Sequence, residues 1–509
     1  MSNYKAPFVP AYLKRQEHNS GTVFIPRWLK EEGPSPDSEV AAVSERKAPF
    51  PDKYVSGDTP YILKGGTCII PGQGILPLDI KIHRGTVVST GRDMAHDGCE
   101  VIDLGGRLVA PGIIDPHFHM GIFSPFDEEV VTESRSALLN GITTLGLYVG
   151  GTDSYLGILD EVTEKIERRS YADIFIHLAI HTREQLEEIP LYFSGYGITS
   201  YKAYMCGIPG LIPEVEDDFL MDLMEKVASL GHDAVLNIHA ENHRLVNRTT
   251  ARLKAREPET VSMRTWEESH PGFAEAEAIQ RAAFLARKTG ARTYFVHLSA
   301  RESVQRARAL KGETKDIFFE TTSPYLTLAL EQDLSVLTKM TPPVRTLDDQ
   351  DALWGGLGDD TLDSIGTDHT PMTRSQKVSS PNLWEIPPGY PAAGTHVPSL
   401  LDRAMARGFP LLKLMEKMTS SPAKIFGLYP RKGTLLPGSD ADLVIIDPLV
   451  ERVASPEIAA SRADYCLHQG QSLKGWPVAV VKGGRVVTRE NFDRIKDSPG
   501  GRYLRRQKG

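Results

Sequence analysis

The chain is poor in cysteine: 509 residues contain four, Cys68, Cys99, Cys206 and Cys466, far apart and without a C-x-x-C pair. That excludes a disulfide-stapled scaffold and a thiolate zinc site. No run of about 18 apolar residues occurs, so no membrane-spanning helix is expected. Positive charge is not in excess either. Lys+Arg number 58 against 66 Asp+Glu, a net charge of −8, which lacks the basic footprint of a nucleic-acid binder. The opening stretch MSNYKAPFVPAYLKRQEHNS has no apolar core and no small-residue cleavage site, so a secretory signal is not expected. These absences predict a soluble cytoplasmic protein in a reducing compartment, with no nucleic-acid or membrane partner.

What is present is ordinary globular composition, 40% hydrophobic and 24% charged, enough chain for one large domain and a smaller one. Residues 1–60 are rich in Pro and mixed charge and read as an extension. It is either a poorly ordered tail or an arm in which Pro7, Phe8, Val9 and Pro10 dock on a domain or a neighbouring subunit. From Tyr61 the texture is β-rich, broken by Gly and Asp, and the same texture returns late in GTLLPGSDADLVIID and PVAVVKGGRVV. Residues 61–110 and 430–490 are therefore expected to meet as one small β-sandwich, interrupted by residues 111–429, with 491–509 as a C-terminal tail.

The interrupting segment alternates β-rich runs with helical stretches. The runs are GIIDPHFHMG, GITTLGLYV, DIFIHLAI, GITSYKAYM, AVLNIHAEN, ARTYFVHLS, IFFETTSPY and DSIGTDH. Helical pieces such as FAEAEAIQRAAFLARKTG lie between them, the last with a stop signal at Gly290. Eight strand–helix units predict a parallel sheet closed as a (β/α)₈ TIM barrel. An open doubly wound sheet is the alternative, weakened because no G-x-G-x-x-G follows the first strand.

Chemistry gathers at the ends of these runs. In a strand, residues i and i+2 share a face, so His117 and His119 of DPHFH project together, half of a metal site. Two ordinary strand histidines would give the same pattern. Lys202 closes the fourth run, His239 the fifth, His297 the sixth and Asp368 the eighth. A barrel places its chemistry at the C-terminal ends of its strands, and a polar group ending an apolar run is costly unless paired or coordinated. Six such groups converging on one mouth point to a metal centre. For Lys202 alone, a lysine paired to a carboxylate is the plainer reading, and for Asp368 a turn cap.

The motifs DPHFH, GITSYKAYM, HAEN, VHLS, MTPPVR and GTDHTP, in this order, resemble those of the amidohydrolase superfamily, and within it the hydantoinase–dihydropyrimidinase group of cyclic amidohydrolases. The resemblance runs from about Tyr61 to the end and includes the tail GGRYLRR. It implies two divalent metal ions: His117, His119 and Asp368 on the more buried one, His239 and His297 on the more exposed one, and Lys202, carboxylated by CO₂ to N6-carboxylysine, bridging both. Imidazole and carboxylate donors favour Zn²⁺, with Mn, Co, Ni and Fe as alternatives. It further implies hydrolysis of a C–N amide bond by a metal-bridging hydroxide, Asp368 carrying the proton to the leaving nitrogen, in an enzyme that assembles as a dimer or tetramer.

The substrate-reading positions depart from the group's pattern. Thr341, before Pro342-Pro343, matches the expected small hydroxyl residue. The tyrosine expected five residues after the bridging lysine is Gly207, and the asparagine of an I-P-N-G loop is Pro388, which has no N–H. Losing a phenol that helps hold the oxyanion costs about 2.7–4 kcal/mol unless it is replaced, and Tyr204, Tyr325 and Tyr390 are the candidates. A dihydroorotase-like site would carry an arginine at Gly121. The substrate thus stays open among hydantoins, dihydropyrimidines, other cyclic amides, imides, lactams and linear amides. A deaminase or lactonase using the same site, and a scaffold without catalysis, are the competing functions.

Overall fold

The computed structural model describes residue 50 and residues 54–259 and 262–506. Most of the extension over residues 1–60, including Pro7 to Pro10, lies outside them.

Five strands open the described chain: β1 (Tyr61–Ile70), β2 (Gly74–His83), β3 (Thr86–Gly91), β4 (Glu100–Asp103) and β5 (Leu108–Pro111). Eight follow in the central segment: β6 (Ile113–His119), β7 (Ile142–Val149), β8 (Asp173–Ala179), β9 (Ser200–Tyr204), β10 (Val235–His239), β11 (Thr293–Phe295), β12 (Ile317–Thr322) and β13 (Ser364–Gly366). The last three are β14 (Leu443–Val453), β15 (Ser472–Lys482) and β16 (Arg485–Val487).

Strands β6 to β13 pair in sequence order, every pair parallel. The ring closes where the chain leaving β13 meets β6: Asp368 N donates to His117 O at 3.0 Å and His119 N to His369 O at 2.8 Å. The expected TIM barrel is therefore the fold, and all eight apolar runs became its strands. They are buried on both faces, which is why they read as nearly continuous apolar stretches. The helix Gly272–Thr289 buries Ala274, Ala278, Ala282, Ala283 and Ala286, small side chains that let it lie close to its neighbours, and it ends at Gly290 in the left-handed conformation.

The other sheet has the order β16-β15-β14-β5-β1-β2-β3, with β4 added to β1. It forms the expected β-sandwich from both flanks of the barrel, around Tyr61, Leu63, Ile80, Ile82, Leu443, Ile445 and Val481. Two details differ from expectation. Val55, assigned from sequence to the extension, is buried in this core and pairs with Val486. Its apolar side chain completes the sandwich edge. Residues 454–471, between β14 and β15, leave the sheet and lie against the barrel, where Ser461 and Arg462 N donate to the buried Glu133 of the helix Phe126–Leu139.

One ion network joins barrel, sandwich and tail. Lys432 Nζ lies 2.6 Å from Asp173, 3.0 Å from Asp440 and 2.5 Å from Asp442; Lys482 Nζ is 2.8 Å from Asp173; Arg502 reaches Asp173 at 2.9 Å and Asp440 at 2.7 Å. Three close carboxylates are thus already neutralised by fixed cations, so this group is structural, not an ion site. The GGRYLRR tail runs along the N-terminal floor of its own barrel: Ile174 N donates to Arg502 O, Leu504 N to Ile174 O, and Arg506 donates to Ile176 O and Ser200 Oγ.

Candidate metal centre

The six groups singled out by their positions meet at the C-terminal mouth of the barrel. Ligand-capable atoms of His117, His119 and Asp368 all lie within 4.8 Å of one another, with both His117 Nε2 and His119 Nε2 at 3.2 Å from Asp368 Oδ1. The His239 and His297 rings are 4.6 Å apart, and His297 lies 5.4 Å from His117. The Lys202 ammonium sits between, 4.6 Å from the Tyr148 ring centre and 5.0 Å from that of Tyr204. His117 and His119 alternate with Phe118 along β6, Lys202 is at mid-β9, and His239 ends β10. His297 and Asp368 come just after β11 and β13, and both adopt positive φ, 44° and 53°. A non-glycine residue there is strained, and two such residues at one mouth mark a site whose geometry the surrounding structure enforces.

Carboxylates behind the histidines fix their rings. His117 Nδ1 bonds Glu320 at 2.8 Å, leaving Nε2 to the mouth. His239 Nε2 bonds Glu241 at 2.9 Å, leaving Nδ1 free to face inward. Asp115 accepts from His117 N and Thr367 N and so ties β6 to the Asp368 turn; burial pushes its carboxyl up to about 7, against the pull of those donors. Metal-binding histidines characteristically hold their second nitrogen on such a carboxylate. Sequence reasoning passed over Glu320, Glu241, Asp115 and Tyr148. The signal was there: Glu320 is a lone acid inside the apolar run IFFETT, and Glu241 stands two residues after His239.

The charges fit cations. Burial lowers His119 and, more strongly, His297 from the ordinary imidazole value, which keeps them neutral, the form that ligates. Burial works to raise Asp368, but His117, His119 and Lys202 outweigh it and hold its carboxyl at about 2. Lys202 is 1% exposed and pairs with no carboxylate among the described residues; burial pulls it down to about 7 against the opposing fields of Asp368 and Glu320. The paired-lysine alternative therefore fails, and the turn-cap alternative for Asp368 does not account for its two imidazole contacts. The donor set, four imidazoles, a carboxylate and a half-neutral amine, fits a pair of divalent metals.

Two of the three substrate-reading positions come together and the third stands apart. Thr341 and Pro388 lie on adjoining segments, since Gly389 N donates to Lys339 O at 3.1 Å. Gly207 is on another side of the mouth, in contact with His243. A Cβ at 207 would stand 2.7 Å from Ile212 O and 2.8 Å from Glu214 N, so the loop has closed over the space a tyrosine would need. Of the candidate phenols, Tyr325 is committed to Pro342 O, whereas Tyr204 faces Lys202 and His239. His369 touches the centre only through its backbone; its ring is held by Glu133 at 3.0 Å and by Phe118.

Residues 108–487 match the family described as the Amidohydrolase family. Among curated proteins, a D-hydantoinase from Geobacillus stearothermophilus is 30% identical over 474 residues, covering 88% of this chain and 96% of its own. An L-hydantoinase from Paenarthrobacter aurescens is 29% identical, covering 82% and 92%. A crystal structure of dihydropyrimidinase from Brevibacillus agri superposes with a TM-score of 0.80 at 27% identity, covering 88% of this chain and 99% of that one. With the family match spanning most of the barrel and reaching into the sandwich on both sides, this chain belongs to the amidohydrolase family.

Proposed function

We propose that the protein is a metal-dependent hydrolase that opens a cyclic amide, with hydantoins, dihydropyrimidines, imides and lactams as the substrate class. The observation that carries the reading is the convergence of His117, His119, Lys202, His239, His297 and Asp368 on one mouth, with Lys202 buried and, among the described residues, without an acid partner. Relatives named for hydantoins and dihydropyrimidines supply the substrate class.

In this reading His117, His119 and Asp368 would hold one divalent ion and His239 and His297 a second, carboxylated Lys202 would supply the anion between them, and Zn²⁺ is the ion the donors suit best. When bound, such ions polarise a carbonyl and make hydroxide available near neutral pH. The chain does the rest. An amine near pKa 7 is half neutral at physiological pH, the form that adds to CO₂. Glu320 and Glu241 keep their histidines aimed inward. Asp368 is both a ligand and the proton carrier: its oxygen accepts the proton released at the attacking oxygen and delivers it to the ring nitrogen as the C–N bond breaks. The backbone around Thr341 reads the ring amide, and Tyr204, whose ring lies beside Lys202 and His239, is the phenol assigned to the oxyanion. Cytoplasmic residence and assembly as a dimer or tetramer complete the proposal.

The test is a panel of hydantoins, dihydropyrimidines, imides, lactams and lactones assayed on metal-replete protein. Ring opening with the amine retained in the product supports the proposal. Release of ammonia would make the enzyme a deaminase, turnover of lactones alone a lactonase, and freshly prepared protein without metal or turnover a scaffold.

A further inference from the structure

Two lysines near the mouth are buried without an acid. Lys339 and Lys377 are 2% and 0% exposed, and among the described residues no carboxylate pairs with either. A buried, unpaired ammonium is costly, so something must hold it. Here it is backbone carbonyls. Lys339 Nζ donates to Leu383 O at 2.7 Å and to Ile386 O, and rests 3.9 Å from the Trp266 ring centre. Lys377 Nζ donates to Lys339 O at 2.6 Å, to Pro387 O at 2.9 Å and to Gly389 O.

The carbonyls belong to a turn that cannot satisfy itself. Pro387 and Pro388 contribute no N–H, so the carbonyls of Ile386, Pro387 and Gly389 turn inward together and need donors from elsewhere. Gly389 closes the turn at φ 123°; a Cβ there would lie 2.7 Å from Met372 Cε and 3.1 Å from Thr370 Cβ, so the turn abuts the loop that carries Asp368. On the other side Trp266 Nε1 donates to Met340 O at 2.7 Å. The two lysines thus join the 386–390 turn to the 339–341 segment, the two backbone stretches that border the proposed substrate ring.

We propose that Lys339 and Lys377 are positioning residues that clamp the Ile386–Tyr390 turn to the Lys339–Thr341 segment and thereby set how tightly the cyclic amide is held. This rests on the cyclic-amide reading above. Since Pro388 supplies no side-chain donor, recognition at this wall falls to backbone groups, whose placement the lysines decide. Neither lysine touches the six groups of the metal centre, so the clamp acts on binding more than on the chemistry.

The experiment uses the full-length, metal-replete protein with Lys377→Met and Lys339→Met, which keep the stem and remove the donors. Each is compared with wild type for metal content, KM and kcat on whichever ring the panel identifies, and amide hydrogen exchange across residues 383–391. The expected result is wild-type metal content, KM raised about tenfold or more, kcat changed less than about threefold, and faster exchange confined to that turn. Unchanged KM in a folded variant, or loss of kcat together with metal, would overturn the clamp. If Lys377→Met does not fold, Lys339→Met, which removes fewer bonds, decides. If wild type opens no cyclic amide, the functional proposal fails by itself; the exchange arm still decides the clamp, and protection unchanged at 383–391 overturns it.

Discussion

Glu320 holds His117 by its Nδ1 at 2.8 Å, and the same carboxylate oxygen accepts the backbone N–H of His297 at 3.2 Å. One acid on β12 therefore orients a histidine of β6 and the strained backbone of another after β11. Its second oxygen takes the Tyr294 hydroxyl at 2.7 Å, so the carboxylate cannot swing away. Glu320→Gln keeps the size but removes the negative charge behind His117 and replaces one acceptor oxygen with an amide donor. Metal affinity should fall about 10–100-fold, as for other carboxylates behind a metal-binding histidine. Competition with a chelator, read as metal retained per chain, measures it; unchanged retention would remove Glu320 from the centre's support.

Lys202 is the group the rest of the centre is built around. Lys202→Ala should lose bound metal and activity together while the barrel stays folded. Short carboxylic acids added to the medium should restore part of the turnover, because they supply the two-oxygen anion that the carbamate is proposed to provide. Full activity in the unrescued variant would end the bridging role.

Asp368→Asn preserves shape and removes basicity. His117, His119 and Lys202 outweigh burial and hold the Asp368 carboxyl low, so it rests as the carboxylate, the form that can accept a proton. The variant should retain its fold and lose turnover by about 10²–10⁴-fold, the usual worth of a positioned proton carrier. Turnover within a few-fold of wild type would assign the proton to another group.

The barrel was legible because each buried parallel strand writes an apolar run, and several carry at or just beyond their ends a polar residue that burial would otherwise forbid. DIFIHLAI and VLNIHAEN became β8 and β10 as read. The histidines and Lys202 stood out for the same reason. What stayed hidden depends on long-range contact. Nothing local to Lys339 or Lys377 says that each will cap carbonyls up to 47 residues away. Gly207 read as a lost tyrosine; only the fold shows the loop from Ile208 to Glu214 occupying the vacated space. Val55 sat in a Pro-rich stretch whose composition outweighed one apolar residue, and its partner Val486 is at the far end of the chain.

The interdomain network sets the pH range of stability. Burial works to raise the Asp173 carboxyl, but Lys432, Lys482 and Arg502 outweigh it and hold it well below the ordinary value; Asp440 is lowered likewise. A carboxylate that binds its proton more weakly in the folded state stabilises the fold fully above its unfolded pKa of about 3.9, and that contribution drains away as pH falls through the folded value. Lys432 is the converse: the three aspartates outweigh burial and raise it, so its contribution is complete below about 10.4 and is lost only as pH rises beyond its folded value. The network's own contribution to stability in denaturant unfolding should therefore be level from about pH 5 to 10 and fall away below pH 4. Lys432→Met removes the cation common to all three acids and leaves them facing Lys482, Arg502 and, at Asp440, Arg431. It should cost about 3–5 kcal/mol at neutral pH, as breaking a buried ion group does, and flatten the acid limb, because the carboxylates it leaves are less depressed. A variant as stable as wild type at pH 7, with the same acid limb, would mean that packing and not charge joins the sandwich and the tail to the barrel.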